Sequence, residues 1–451
     1  MAIVHKLKPF TGELLLSAKS IVERLRESGY RAFFVGGCVR DMVMKIPPEE
    51  YDITTSAKPD EIMKIFPNTV PVGANFGVIL VLEDKHKFEV ATFRRDESYS
   101  DGRHPDRVIY SGDEREDVLR RDFTINGMLY DPLTEEVIDY VGGIEDLRNR
   151  VIRTIGNPKD RFNEDKLRMM RAVRFAARFS YKLDEDTIKA IYELAPLISQ
   201  VSAERVRDEV VKIISQENPG LGLRLLRETG LLKHILPEID NMHGVPQPPE
   251  FHPEGDVFTH TCLVLDKLFE ITKGKPSPEL ALGGLFHDVG KPITLTVTDR
   301  IRFNGHDKIG AEMTKKICKK LRFSNKQIER IVSLVREHLR FKDVFRMRES
   351  TLKRFLGIPC FEDHLTLHLA DCLASHGSTD VYDFMKKKLE ELKQEEIKPR
   401  PILNGYDLIE MGYAPGPIFS SILDSLEEAQ LEGTVKDKEQ AKRFVQERFP
   451  I

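Results

Sequence analysis

Near residue 145 the spacing of apolar residues changes period, and this constrains the fold more than any single motif. Before that point, short runs rich in aromatic and β-branched residues (RAFFVGG at 31–37, GVILVLE at 77–83, KFEVATFRR at 87–95) follow one amphipathic stretch at 12–28. Such runs predict strands, and the amphipathic stretch predicts a helix. Beyond it the period is helical, with turn signals at NP (157–158), NPG (218–220) and the Pro-rich GVPQPPEFHPEG (244–255). The expected class is α+β, a small mixed sheet with helices followed by all-α regions. At 451 residues the chain exceeds what one core usually supports, so two to four domains are expected. The expected divisions are 1–145, 146–245, 246–396 and a helical tail at 397–451, with the Pro-rich segment as a linker.

Two chemistries are distributed along these parts. Net charge is only −4, yet residues 148–178 carry ten Arg or Lys against three acids, and ten of the thirteen His lie between His234 and His376. An acidic chain with a local cationic stretch points to a partner met at one place. The five Cys are scattered and never spaced as CxxC, which argues against a disulfide framework or a zinc ribbon. Near the start the longest apolar run is LLL at 14–16, too short for a signal-peptide core or a membrane span. The expectation is a cytoplasmic protein without a membrane partner.

Inside the first part, FFVGGCVRD predicts a strand that turns at Gly36 and Gly37 into a helix. Backbone N–H groups at two glycines can approach an anion, with Arg40 completing a phosphate cradle. The alternative is a plain strand-to-helix turn. In an extended strand Glu50 and Asp52 would project to one face, with Glu89 as a third carboxylate. Oxygen ligands of this kind suit Mg²⁺, and a pair of ions can activate a hydroxyl while neutralising a triphosphate. On a helical wheel Met169, Ala172, Val173 and Ala176 share one side, and Glu164, Arg168, Arg171, Arg174 and Arg178 the other. No acid follows Asp165 until Asp184, so this face is either solvated surface or an uncompensated cationic surface for phosphate.

GGxVRD, the Glu50-Tyr51-Asp52 triplet followed by ITTSA, RRDFTINGM (120–128), DYVGGIEDL (139–147), EDKLRMMRAVRF (164–175) and ERVRDE (204–209) occur in an order that resembles the class II tRNA nucleotidyltransferases and their poly(A) polymerase relatives. The resemblance implies a polymerase-β-like nucleotidyltransferase head and a helical neck and body that selects nucleotide and binds RNA. It implies catalytic carboxylates at Glu50, Asp52 and Glu89, with Mg²⁺ on Glu50 and Asp52. Gly36, Gly37 and Arg40 would lie against the nucleotide, and Arg121, Asp122 and Asn126 would contact ribose and phosphate. Asp165 and Arg168, beside Glu164, would match the Watson–Crick edge of CTP or ATP, and Arg171 and Arg174 would hold triphosphate or the RNA end. The polar segment 94–119 would be the loop that helps the site change from C to A. One departure stands out: the family usually has Asp-x-Asp where this chain has Glu50-x-Asp52.

The His-rich half has its own pattern. THTCLVLD, LFHDVGK and HLADCLASH supply His260, His287, Asp288 and Asp371, an order that resembles the HD phosphohydrolases, with His306 and His338 where dinuclear members place further ligands. The resemblance implies a divalent cation, and a mixed imidazole and carboxylate set suits Mn²⁺, Ni²⁺, Fe²⁺, Zn²⁺ or Mg²⁺. Together the resemblances imply addition of CCA to tRNA 3′ ends from CTP and ATP, with poly(A), CC-only or A-only addition as alternatives. An HD phosphohydrolase with an RNA-binding head is the alternative from another class.

Overall fold

A computed structural model describes residues 2–73, 77–97, 107–250, 252–392, 397 and 400–450. Contacts divide the chain into two compact units, Met1–Asp240 and Asn241–Ile451.

The first unit is built on an eight-stranded sheet. In chain order the strands are β1 (Ile3–Lys6), β2 (Ala32–Val35), β3 (Asp52–Thr55), β4 (Thr69–Gly73), β5 (Val78–Glu83), β6 (His86–Thr92), β7 (Arg94–Glu97), β8 (Arg107–Tyr110), β9 (Met128–Asp131) and β10 (Glu136–Asp139). Eight of them form one sheet in the order β1-β10-β9-β2-β3-β6-β5-β4, while β7 and β8 pair separately. The β3–β6 pair is parallel and the other pairs in the sheet are antiparallel, so the mixed sheet expected from the sequence is present. Helix Glu13–Glu27 buries Leu15, Ala18, Ile21, Val22 and Leu25, spaced three or four apart along one face, and packs on β2, β3, β5 and β6.

Beyond the sheet the Leu167–Phe179 helix packs against helices Ala203–Ile214 and Pro219–Glu228, burying Met169, Ala172, Val173 and Ala176 as the wheel predicts. Two short pieces depart from the all-helical expectation. Val151–Ile152 pairs in parallel with Lys182–Leu183, and a hairpin joins Leu295–Val297 to Ile301–Phe303, where β-branched residues flank a polar turn.

In the second unit, helices Val257–Ile271, Pro278–Phe286, Asn325–Glu337 and Phe361–Ala374 pack on one another, and His306–Lys320 packs along Asn325–Glu337. The Pro-rich segment expected as a linker lies inside this unit and contributes Gln247, which is 4% exposed. Tail helices Gly405–Glu410, Ile418–Leu431 and Lys438–Arg448 close on their own cluster of Leu403, Leu408, Ile422, Leu426 and Val445. Cys38, Cys262, Cys318 and Cys372 are buried and Cys360 is exposed, all as free thiols. Among the described residues no helix is long and apolar enough to cross a membrane.

Candidate active site and metal centre

Strand register assembles the head site. Val35 pairs with Asp52 and Ile53 with Val90, so the Gly36 turn, Asp52 and Glu89 meet where β2 ends and β3 begins, inside the sheet. Strand β3 begins at Asp52, which leaves Glu50 on the loop that approaches it. Gly36 has φ 79, a conformation that L side chains rarely adopt, and helix Gly37–Val43 starts directly behind it. A Cβ on Gly36 would stand 3.5 Å from Arg121 Nη1 and 3.8 Å from Asp52 Oδ2, so the turn passes close over both groups. Burial, then the Glu50 and Glu89 charges, raise the Asp52 pKa to about 6 against the opposing pull of Arg121. A half-buried carboxylate crowded by two others suits a hard divalent cation on oxygen ligands.

Arg121 is held from behind. Its Nη2 donates to Asp117 Oδ2 at 3.0 Å, and Asp117, fully buried, also takes Arg120 Nη2 at 2.6 Å. Arg121 Nε is buried and has no hydrogen-bond partner among the described residues. Arg40 lies beside Gly37, where a Cβ would stand 3.5 Å from its Nη2. It is 5% exposed, donates to Asp41 and to Asn126 Oδ1 (2.8 Å), and lies under the Phe175 and Phe179 rings. Asn126 Nδ2 in turn donates to Asp122 Oδ1 at 3.4 Å.

The expectation of an uncompensated arginine face does not hold. Arg168 pairs with Glu164, Arg171 donates to Asp122 Oδ2 through Nε (2.9 Å) and Nη2 (2.6 Å), and Arg174 donates to Glu209 Oε2 (2.7 Å). Two of the three compensating acids come from other segments of the chain, outside the reach of any spacing rule along the helix. Asp165 sits in an extended break between helices Pro158–Glu164 and Leu167–Phe179, and both its oxygens take Arg205. The segment expected as a C-to-A loop has β7 and β8 at its flanks, and residues 98–106 lie outside the described residues.

All six HD-pattern residues come together in the second unit. The potential ligand atoms of His260, His287 and Asp371 lie within 4.8 Å of one another, as do those of Asp288, His306 and His338. Each imidazole is oriented by an acceptor at Nδ1. His260 meets Glu254 Oε1 (2.7 Å), His287 the Gly284 carbonyl (2.8 Å), His306 the Phe303 carbonyl (2.7 Å) and His338 the Val335 carbonyl (2.6 Å). Four Nε2 atoms are thereby turned inward, the arrangement that metal-binding imidazoles require. His260 Nε2 stands 3.0 Å from Asp371 Oδ1 and His287 Nε2 3.1 Å from Asp288 Oδ2, yet both nitrogens lack a hydrogen-bond partner.

Electrostatics agree with that donor set. Burial alone would lower the His260 pKa, but Asp371, Glu254 and Asp288 outweigh it and raise it to about 9. Carboxylates that hold a proton so firmly would hold a divalent cation in its place. His338, buried among other imidazoles, is pushed down to about 4 and stays neutral, as a ligand must. Gly290 keeps the cluster tight, because a Cβ there would run into the His306 carbonyl.

Sequence reasoning missed several residues. Arg205 and Glu209 lie in the ERVRDE motif, but their partners Asp165 and Arg174 stand 40 and 35 residues away, and Asp117 braces Arg120 and Arg121 three and four residues beyond it. Glu254 and Gln247 lay in the segment taken for a linker; Gln247 Oε1 accepts from Lys291 Nζ at 2.6 Å, and Lys291 pairs with Asp288 Oδ2 at 2.6 Å. A detectable signal was present in HPE at 252–254, six residues before His260 at its end.

Residues 32–153 match the family "Poly A polymerase head domain", residues 180–242 the "Probable RNA and SrmB- binding site of polymerase A", and residues 257–365 the "HD domain". A CCA-adding enzyme of Limosilactobacillus reuteri (strain DSM 20016) is 43% identical over 226 residues, 50% of this chain and 55% of that protein, so the match spans about half of the relative's length. A CCA-adding enzyme of Ligilactobacillus salivarius (strain UCC118) is 32% identical over 437 residues, 96% of this chain and 97% of the relative. Among solved structures, the Bacillus stearothermophilus CCA-adding enzyme in complex with CTP superimposes with a TM-score of 0.75 at 28% identity, covering 97% of this chain and 98% of the other.

Fold and site together define a nucleotidyltransferase of the poly(A) polymerase class, with a carboxylate-bearing head, a helical neck and an HD domain. Domains of both kinds typically use divalent metals. Within that class, the chain belongs to the CCA-adding enzyme family.

Proposed function

We propose that this protein is a template-independent RNA nucleotidyltransferase that completes tRNA 3′ ends with C, C and A, using CTP and ATP and releasing pyrophosphate. The observation that carries the proposal is the meeting of Asp52, Glu50 and Glu89 beside the Gly36 turn, with Arg121 directed into the same place. Family membership supports the choice of substrates. In this reading residues 1–145 form the catalytic head, 146–245 the nucleotide-selecting neck and body, 246–396 the HD domain and 397–451 the tail. A soluble cytoplasmic location goes with it.

Asp52 with Glu50 and Glu89 would hold Mg²⁺, which when bound lowers the pKa of the attacking 3′ hydroxyl and offsets triphosphate charge. Backbone N–H groups at Gly36 and Gly37 approach the phosphates without a side chain between. Arg121, braced by Asp117, offers Nη1, which stands against the Gly36 turn, to the same anion. Asp122 and Asn126 face ribose and phosphate, with Arg171 fixed on Asp122. Asp165 and Arg168 read the base edge in place of a template strand, which suits an acceptor carboxylate beside a forked donor. The RNA 3′ oxygen attacks the α-phosphorus in line, a P–O bond forms, and pyrophosphate leaves with the bond electrons. Asp52→Asn, which keeps the shape and removes the charge, should abolish nucleotide incorporation; retained incorporation would refute this site.

The inward-facing imidazole cluster favours a second activity. His260, His287, Asp288 and Asp371, with His306 and His338, would bind a divalent cation and support phosphatase or cyclic phosphodiesterase action on RNA ends, leaving a clean 3′ hydroxyl for the polymerase. Metal-dependent turnover of 2′,3′-cyclic nucleotides that is lost in His287→Ala is the expected result. Absence of turnover in the wild-type protein with each candidate metal would remove this activity.

A further inference from the structure

The two halves of the imidazole cluster in the second unit differ in charge. His260, His287 and Asp371 meet in one half, and Asp288, His306 and His338 in the other. A further carboxylate stands behind the first half. Glu254 Oε1 lies 2.7 Å from His260 Nδ1 and 2.9 Å from His252 Nδ1, and the Glu254 side chain is 8% exposed. At Nδ1 of His287, His306 and His338 the acceptor is a neutral backbone carbonyl instead. A charged acceptor at one ring nitrogen raises the basicity of the other, so His260 is the strongest imidazole donor of the four.

The second half is the reverse case. Lys291 Nζ stands 2.6 Å from Asp288 Oδ2, and Asp288 is the carboxylate of that trio. The ammonium is fixed there, since Gln247 Oε1 accepts from it at 2.6 Å and the Phe303 ring lies 5.3 Å away. Both Asp288 and Lys291 are buried, so salt and water screen the pair little. A divalent cation in the first half meets Asp371 directly and the Glu254 charge through His260. In the second half it meets a carboxylate that an ammonium already balances. Glu254 and Gln247 both come from the Pro-rich segment 244–255, so one segment biases both halves.

We infer that the centre fills in order: a first divalent cation on His260, His287 and Asp371, strengthened by Glu254, and a second, weaker one on Asp288, His306 and His338, where Lys291 opposes it. The inference rests on the reading of this cluster as a metal centre. Glu254 and Lys291 bind no cation in this role and act through the ligands they touch. At low free metal the centre holds one ion, and the pair forms only as the metal concentration rises.

The test is a Mn²⁺ titration of the full chain, carrying Asp52→Asn to remove the share of the head, with bound ions counted by equilibrium dialysis. Two steps are expected about tenfold or more apart, because one opposite charge at this range shifts a carboxylate's affinity for a proton about 10- to 1000-fold. In electron paramagnetic resonance the first ion should give an isolated signal, and the second should couple to it at roughly 3.5–4 Å, the spacing of paired sites. Glu254→Gln, close to isosteric, should weaken the first step about 10- to 100-fold and leave the second. Lys291→Met should strengthen the second step about tenfold or more. A single step that becomes two in Lys291→Met supports the same order. Two steps of equal affinity overturn the inference, as does a first step untouched by Glu254→Gln or a second untouched by Lys291→Met. Equal weakening of both steps in Glu254→Gln, with loss of far-UV circular dichroism, would mark Glu254 as merely structural and also overturn it. If no Mn²⁺ binds at either step, the metal-centre reading fails and the order with it.

Discussion

The buried pair of Arg174 and Glu209 gives the sharpest energetic prediction. Their side chains are 10% and 3% exposed, with Nε 2.7 Å from Oε2. Burial, opposed by Glu209 and reinforced by the Arg171 charge, lowers the Arg174 pKa, so the guanidinium depends on its partner. Removing one member of such a pair typically costs about 3–5 kcal/mol, because a charge is left buried and unmatched. The Phe175 ring, 4.4 Å from the guanidinium carbon, retains about 1 kcal/mol of cation–π attraction. The net expectation for Glu209→Ala is therefore a loss of about 2–4 kcal/mol from the first unit. Because the chain contains no Trp, urea unfolding is best followed by far-UV circular dichroism. The double variant Arg174→Met/Glu209→Met, which replaces the pair with apolar volume, should recover stability to within about 1 kcal/mol of wild type. It should also keep the KM for CTP within about threefold. A Glu209→Ala cost below about 1 kcal/mol would refute the buried-pair account, and a tenfold rise in KM for the double variant would return Arg174 to the nucleotide or RNA contacts expected from the sequence.

Four further outcomes follow from the two sites. Asp52, raised to about 6, binds a proton in competition with a cation, so the Mg²⁺ concentration for half-maximal activity should rise about tenfold per pH unit below 6 and level off above it. In the cation-free protein the same shift has the opposite sign for stability: the folded state holds the extra proton, so this group's contribution is present below pH 3.8 and lost as pH rises through about 6, a trend that titrated unfolding at low ionic strength should show and Asp52→Asn should flatten. Divalent metal should raise the unfolding temperature of the wild-type protein by more than that of His287→Ala, which keeps the head carboxylates, measured calorimetrically in chelator and in Mn²⁺. Glu50→Asp shortens a loop carboxylate by one carbon–carbon bond, about 1.5 Å, and should change nucleotide addition by less than about tenfold; a gain of several orders of magnitude would show that Glu50 impairs the site as it stands.

Local pattern made much of this molecule legible. The 12–28 helix, the β2 strand into the Gly36 turn, and the Met169–Ala176 packing stripe all follow from spacing, because burial on one face is what a period encodes. The residues that come together in the second unit were equally legible from the order of His260, His287, Asp288 and Asp371. Charge compensation was not. The arginine row looks bare along its own helix, yet Asp122 and Glu209 arrive by tertiary contact, and no sequence period reports a partner from another element. The parallel pairing that brings Glu89 beside Asp52 is hidden for the same reason. Glu254 escaped notice because prolines around it signal a linker, although these prolines sit in a segment whose Gln247 and Glu254 serve the imidazole cluster.

The most direct test of the central claim is to incubate the protein with tRNA transcripts lacking the 3′ CCA, ending in CC, or complete, supply labelled CTP and ATP singly and together, and sequence the products. The account predicts C, C and A in that order on the first transcript, a single A on the second, and nothing on the third. No incorporation under any condition would contradict the polymerase reading, and long A tracts would show a poly(A) polymerase instead.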